Sequence, residues 1–174
     1  MRGARLQGRQ AGQATVEFAL VAIFLVLLLF AILDFGVFFA GRITATNATR
    51  SAARYAATHP TAWSNAANPP ANTIQGKLIT AAVPAKVVND DAHVTISYIV
   101  PGPGPGTTCG SYKAATNSFV AATGYSQSSC VVAGNLIRVR AKYVYTFVTP
   151  LMTLIGASQN AMTIDGSAAE LEER

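Results

Sequence analysis

The sequence predicts an α+β fold: a long N-terminal helix followed by a small C-terminal domain with a short helix and an antiparallel sheet. Three observations carry this. Residues 18–33 run from Glu17 to Asp34 without a charge, and almost all are large and apolar. Ile137, Val139, Ala141, Tyr143, Tyr145 and Phe147 alternate with Arg138, Arg140, Lys142, Val144 and Thr146, the period of a strand with one greasy and one basic face. Val94, Ile96, Tyr98 and Val100 alternate in the same way with Thr95 and Ser97.

The apolar run comes first. At about 1.5 Å per residue it covers roughly 24 Å as a helix. With the less polar turns beside it, it reaches the roughly 30 Å of a bilayer's hydrocarbon core, so the membrane-spanning part is expected to extend to about residue 40. A buried core helix is the alternative, but the run is apolar on every side of the helix wheel. Arg2, Arg5 and Arg9 precede it with no acid among them, which places the N-terminus in the cytoplasm and everything after residue 40 outside. A secretory signal peptide would have a shorter apolar region and a small-x-small cleavage site. Here Asp34, Phe35, Phe38 and Phe39 follow, so the helix is expected to stay attached.

Residues 41–58 continue the helix. Ala45, Ala48, Ala52 and Ala56 form a small-residue stripe that lets two helices approach closely, while Arg42, Arg50 and Arg54 share another face. Those arginines stay solvated or meet acids of a neighbouring molecule. His59-Pro60 ends the helix, because the residue before proline is pushed out of the helical region. One helix over 13–58 would be about 70 Å long.

Residues 59–71 read as a proline-rich linker in which Trp63 covers the core, and 72–174 as the outer domain. Asn72 or Thr73 caps a short helix to Val83 with Ile74, Leu78 and Ala82 on its buried side. Lys86 to Val88 form a strand or the lead-in to one, with Asn89-Asp90-Asp91 as the turn. The PGPGPG run over 101–106 is a stiff exposed loop; its alternate prolines remove the amides a phosphate cradle needs. Cys109 and Cys130 are the only cysteines, and a lone pair outside the cytoplasm is expected to form a disulfide. Closing that loop is worth about 3 kcal/mol by chain entropy. The intervening segment reads as a surface loop with one hairpin around Ser118 to Ala121. Pro150 to Ile155 reads as a short apolar turn or helix, Gln159 to Asp165 as a last strand, and Ala168 to Arg174 as an acidic tail.

Composition limits the function classes. Thirteen basic and eight acidic residues leave a charge of +5, but three of the arginines precede Gly12, and without them the balance is +2. The basicity is mostly a topology signal rather than a nucleic-acid signal. The basic stripe of the 137–147 strand is a solvated outer face that discourages edge pairing, or a contact for acidic lipid headgroups or a neighbouring subunit. No aromatics interleave with it as nucleic-acid binding would need. No nucleophile elbow is present, His59 and His93 stand at element ends, and two isolated cysteines lack partners for a metal. Neither an enzyme nor a cofactor is expected.

Two acids on the helix point to assembly. Glu17 lies inside or at the edge of the hydrocarbon, where an unpaired carboxylate costs several kcal/mol, so it reads as a paired functional group or as a first-turn acid favoured by the helix dipole. Asp34 stands where the helix leaves the membrane. It is expected to be an interfacial, solvated aspartate, or else to need a partner from a neighbouring subunit, Arg42 being too far along the helix.

Gly12, then Gln13 to Val16, then Glu17 and Phe18, resembles the processing motif of class III signal peptides. Together with Ile32-Leu33-Asp34-Phe35-Gly36 and Asn47 to Ala56, residues 8–58 resemble the TadE-like family of minor pilins or pseudopilins of the tight-adherence (Tad/Flp) branch of type IV pili. The resemblance implies a pilin-like fold in which residues 1–12 are a leader and 13–58 the helix. It implies cleavage after Gly12 by a prepilin peptidase, with Gln13 as the new N-terminus and Glu17 as the acid that sets register. It further implies a minor subunit acting in assembly, priming or tip formation for adhesion. Its partners would be the major Flp pilin, other minor pilins and an inner-membrane assembly platform. The chain would sit in the inner membrane, with its outer domain extracytoplasmic, and pass into the extracellular pilus on assembly. The competing reading is a single-pass exported binding protein or adhesin that never joins a filament.

Overall fold

The computed structural model describes residues 8–83, 85–149, 153, 156 and 161–173, with side chains from Gly12 onward. The architecture is the expected long helix followed by a small α+β domain. In chain order the elements are α1 (Gly8–Thr58), α2 (Ile74–Ala81), β1 (Val94–Val100), β2 (Thr107–Lys113), β3 (Ser118–Ala121), α3 (Gln127–Cys130), β4 (Leu136–Thr146) and β5 (Ala161–Leu171). They fall into two compact units: Met1–Val37 with Phe147–Asn160, and Phe38–Thr146 with Ala161–Arg174.

The second unit is built on one antiparallel sheet of order β3-β2-β1-β4-β5. Period-two patterning sorts the side chains of β1 and β4. Ile96 and Tyr98, and Ile137, Val139, Ala141 and Tyr143, point to one buried face. The register Ile96↔Val139 and Tyr98↔Ile137 brings them side by side. β5 then pairs with β4 along its whole length, from Leu136↔Leu171 to Thr146↔Ala161.

The end of α1 closes this face. Ala45, Ala48, Ala52, Ala53 and Ala56 are essentially without solvent exposure. The stripe expected to admit a second helix is taken up by the chain's own sheet, because its large residues (Ile, Val, Tyr) fill the space that the small helix side chains leave. The approach is close enough to need glycine: a Cβ on Gly166 would stand 3.1 Å from the Ala45 carbonyl oxygen, and one on Gly41 would overlap the Tyr143 hydroxyl. α2 fills the adjacent space, capped by Thr73, whose hydroxyl accepts from the Gly76 amide at 3.1 Å, with Ile74, Leu78 and Ala82 fully buried. Trp63 lies against Tyr112 and Phe119 and donates its indole N–H to the Tyr98 hydroxyl at 2.8 Å.

Three local expectations are corrected. Residues 86–88 form no strand: Asn89 donates from Nδ2 to the carbonyls of Ser64 and Ala66, at 2.9 and 2.8 Å, and ties that segment to the linker. The segment between the cysteines is more ordered than a surface loop. It contains β2, the hairpin partner β3, and α3, which ends at Cys130. The β1–β2 register shifts between Tyr98 and Ile99, leaving Cys109 without a ladder partner. There it is bonded to Cys130 with the two Cα atoms 5.8 Å apart. Finally, the last strand runs on to Leu171, so Ala168 to Leu171 are not a tail, and Glu172 and Glu173 remain bonded to the fold. Pro150, Leu151, Met152, Leu154 and Ile155, where an apolar turn or helix is expected, lie outside the described residues.

The end of the chain closes the domain. Glu172 N–H donates to the Asn135 carbonyl at 2.8 Å, Gly134 N–H donates back to the Glu172 carbonyl at 3.2 Å, and Glu173 N–H reaches the Ala57 carbonyl of α1 at 2.9 Å. These bonds carry the Glu172 side chain into the interior, where Oε2 has no partner among the described residues. Burial pushes its carboxyl above the usual glutamate range, against the opposing pull of a backbone donor at Val132. A folded-state pKa above the unfolded one stabilises the fold below the unfolded pKa and is lost as pH rises through the folded value. Wild type should therefore lose stability relative to Glu172→Gln as pH rises from about 4 to 7, by on the order of 1 kcal/mol. Denaturant unfolding at several pH values checks this, and a constant gap across the range contradicts it.

Candidate functional site

Among the described residues no three His, Cys, Asp or Glu side chains come together as metal ligands would. The groups whose surroundings call for explanation lie along α1. Within Gly12–Thr58 the most apolar eighteen-residue window is 0% buried. Fourteen large apolar side chains between Val16 and Leu33 are exposed. A helix of this length and apolarity fits a single-pass membrane anchor.

The motif residues open this stretch. Gly12 lies within α1, and nothing stands within 4 Å of where its Cβ would be. One turn on, Glu17 is exposed and accepts a hydrogen bond from the Gln13 side-chain amide at 3.1 Å. Phe18 beside it is 74% exposed. Backbone spacing puts Gln13 and Glu17 on one face, so a positive charge created at residue 13 would lie one turn from the carboxylate.

Asp34 is neither solvated nor dependent on another molecule. It is 4% exposed, and its donors come from its own chain. Val148 N–H donates to Oδ1 at 3.2 Å and Thr149 N–H to Oδ2 at 3.0 Å, while the Thr149 hydroxyl donates to the same Oδ2. Phe147 sets its ring edge against Phe35, with centroids 5.8 Å apart. Two consecutive amides and a hydroxyl thus form a small nest around one carboxylate, and an aromatic pair flanks it. The nest holds residues 147–149 to the helix. Sequence reasoning missed these donors because 114 and 115 residues separate them from Asp34. The only local hint was Thr149-Pro150, where the strand pattern stops.

The remaining singled-out residues lie in the second unit. Arg42, Arg50 and Arg54 are all exposed on α1. Arg54 Nε comes within 3.9 Å of Glu170, a loose pair in which the arginine side chain is 79% exposed. On the outer sheet face the Arg140 guanidinium grips Asp165 with two groups, Nε at 2.8 Å and Nη2, and holds that carboxyl below the usual aspartate range. Part of the basic stripe is thus neutralised inside the sheet. Cys109 and Cys130, joined to each other, pin α3 to β2.

Replacing Asp34 by Ala should free the 147–149 segment. Amide exchange at Val148 and Thr149, measured on the full chain in detergent micelles, is expected to speed up by about tenfold or more, since three donors lose their acceptor. Asp34→Asn keeps one acceptor oxygen and should fall between. Unchanged exchange in Asp34→Ala contradicts the nest.

No curated protein and no solved structure matches the chain. One family model does match it, over residues 12–54, which covers less than half of the chain and stays within α1. The matched stretch holds Gly12, Glu17, Asp34, Arg42, Arg50 and Arg54 together. Over this stretch the chain is similar to TadE-like proteins, a family associated with the Tad pilus.

Proposed function

We propose that this chain is a minor pilin or pseudopilin of a Tad/Flp pilus, acting in assembly, priming or tip formation. The observation that carries the reading is the bare apolar length of α1, which begins within a glycine–glutamate–phenylalanine motif and leads into an outer α+β domain. Before assembly, lipid covers that length; in a filament, the helices of other subunits do. The arginines preceding Gly12 hold the N-terminus in the cytoplasm, and the outer domain, with its disulfide, lies outside.

The helix also divides the work of its two acids. Asp34 has its carboxylate filled by Val148 and Thr149, so it serves the subunit's own fold. Glu17 is exposed, with one side-chain amide as its partner. It is the acid left to recruit a charge from outside. Cleavage after Gly12 by a prepilin peptidase would create an ammonium at Gln13, one turn away on the same subunit or supplied by the next. Inside lipid an unpaired carboxylate costs about 3 kcal/mol or more, which is enough to set register. Arg42, Arg50 and Arg54, above the membrane, are placed to meet acids of a neighbour. The extra domain distinguishes this chain from a major pilin that is little more than a helix.

Intact-mass analysis of the protein from its native membrane is expected to show a chain starting at Gln13. Glu17→Ala should insert into the membrane normally yet leave the sheared-filament fraction. A chain that retains Met1 to Gly12 and never enters filaments contradicts the proposal and supports an exported binding protein on a membrane anchor. Normal piliation in Glu17→Ala removes the register role.

A further inference from the structure

We propose that the free edge of β5, with Arg42, Arg50 and Arg54 of α1 beside it, is a docking site for an extended acidic segment of a partner protein, which adds to the sheet as a sixth strand. The sheet order leaves two edges, β3 and β5. β3 is four residues long, whereas β5 presents eleven. Among the described residues no further strand pairs with β5 on its outer side. Soluble domains protect such edges with charge, proline or bulges. From Gly166 to Ala169 this edge has no charge and no proline, and its pairing with β4 runs without a register shift.

The helix makes that edge selective. α1 runs alongside β5 in the same direction. Arg42 shares a shallow groove of about 280 Å³ with Thr163 and Asp165, Ala45 meets Gly166, and Arg54 shares a second groove of about 500 Å³ with Ala169 and Glu170. Arg42 and Arg50 form no ion pair among the described residues, and the Arg54 pair is loose. On the other face of the sheet, one strand in, stand Arg138, Arg140 and Lys142. Six cations therefore flank the edge against four acids, Asp165, Glu170, Glu172 and Glu173, of which Glu172 is buried and Asp165 is already held by Arg140. A strand laid there would alternate its side chains between the helix arginines and the basic sheet face, so acids on both sides would be matched. Backbone bonds would supply affinity and the arginines would supply choice of partner.

This names the manner of the inter-subunit contact proposed above and rests on that reading only for where the partner is met. The test therefore uses the isolated full chain in detergent micelles, and its failure leaves the cleavage and Glu17 predictions untouched. The probe is a fluorescent peptide alternating glutamate and valine. It is compared with a lysine–valine peptide and with the glutamate peptide N-methylated at alternate amides. The glutamate peptide should bind and slow amide exchange in Ala161–Leu171, while the other two bind at least about tenfold more weakly. Arg42→Glu with Arg50→Glu, both exposed and foldable, should weaken binding by a similar factor, and Ser167→Pro should abolish it. Equal binding of the lysine peptide, no binding of any peptide, or binding that leaves β5 exchange unchanged overturns the proposal.

Discussion

The structure depends on where the side chains of one helix find cover. Along α1, fourteen large apolar groups between Val16 and Leu33 stand exposed, while Ala45, Ala48, Ala52, Ala53 and Ala56 are enclosed. Leaving the first set in water would cost on the order of 20 kcal/mol at about 1.5 kcal/mol per partly covered side chain. A helix with such a bare apolar length fits a single-pass membrane anchor. Side-chain size separates the two parts of the helix. Leucines and phenylalanines project, exposed, from the first. Alanines line the second, where a sheet of isoleucine, valine and tyrosine comes in close.

Polar groups placed at element ends hold these parts in register with the rest of the chain. Asp34 fastens residues 147–149 to the helix by three donors. Tyr98 joins the sheet to the linker: its hydroxyl donates to the Pro60 carbonyl and accepts from Trp63, and burial pushes its phenol well above the ordinary range. The backbone of Glu172 and Glu173 ties the end of β5 to Asn135 and to the last turn of α1. In each case a group that is costly to bury finds its partner on a distant part of the chain, which makes the partner specific.

The same distinction explains what could be read from the sequence. Periodic signals were legible: α1, the α2 span after Thr73, β1 and β4 follow from apolar spacing and proline punctuation. The charge-free run was legible as the exposed apolar stretch of α1. β2 was hidden because Thr107-Thr108-Cys109-Gly110 offers no alternation, and Gly110 is needed where the Phe119 ring lies over the backbone. The alanine stripe announced close packing but not its partner, since a sheet and a second helix ask for the same small residues. Asp34's nest was out of reach because nothing local ties Val148 and Thr149 to it. The buried end of β5 was misread because its glutamates look like a solvated tail until pairing with β4 places them.

The exchange of cover along α1 is tested most directly by a photo-crosslinking residue at position 25, in the middle of the exposed stretch. In membranes of cells that are not assembling filaments, it should label lipid. In the sheared-filament fraction it should join this chain to a second helix-bearing subunit. Crosslinks confined to the chain itself, or an absence of the chain from that fraction, would contradict the account.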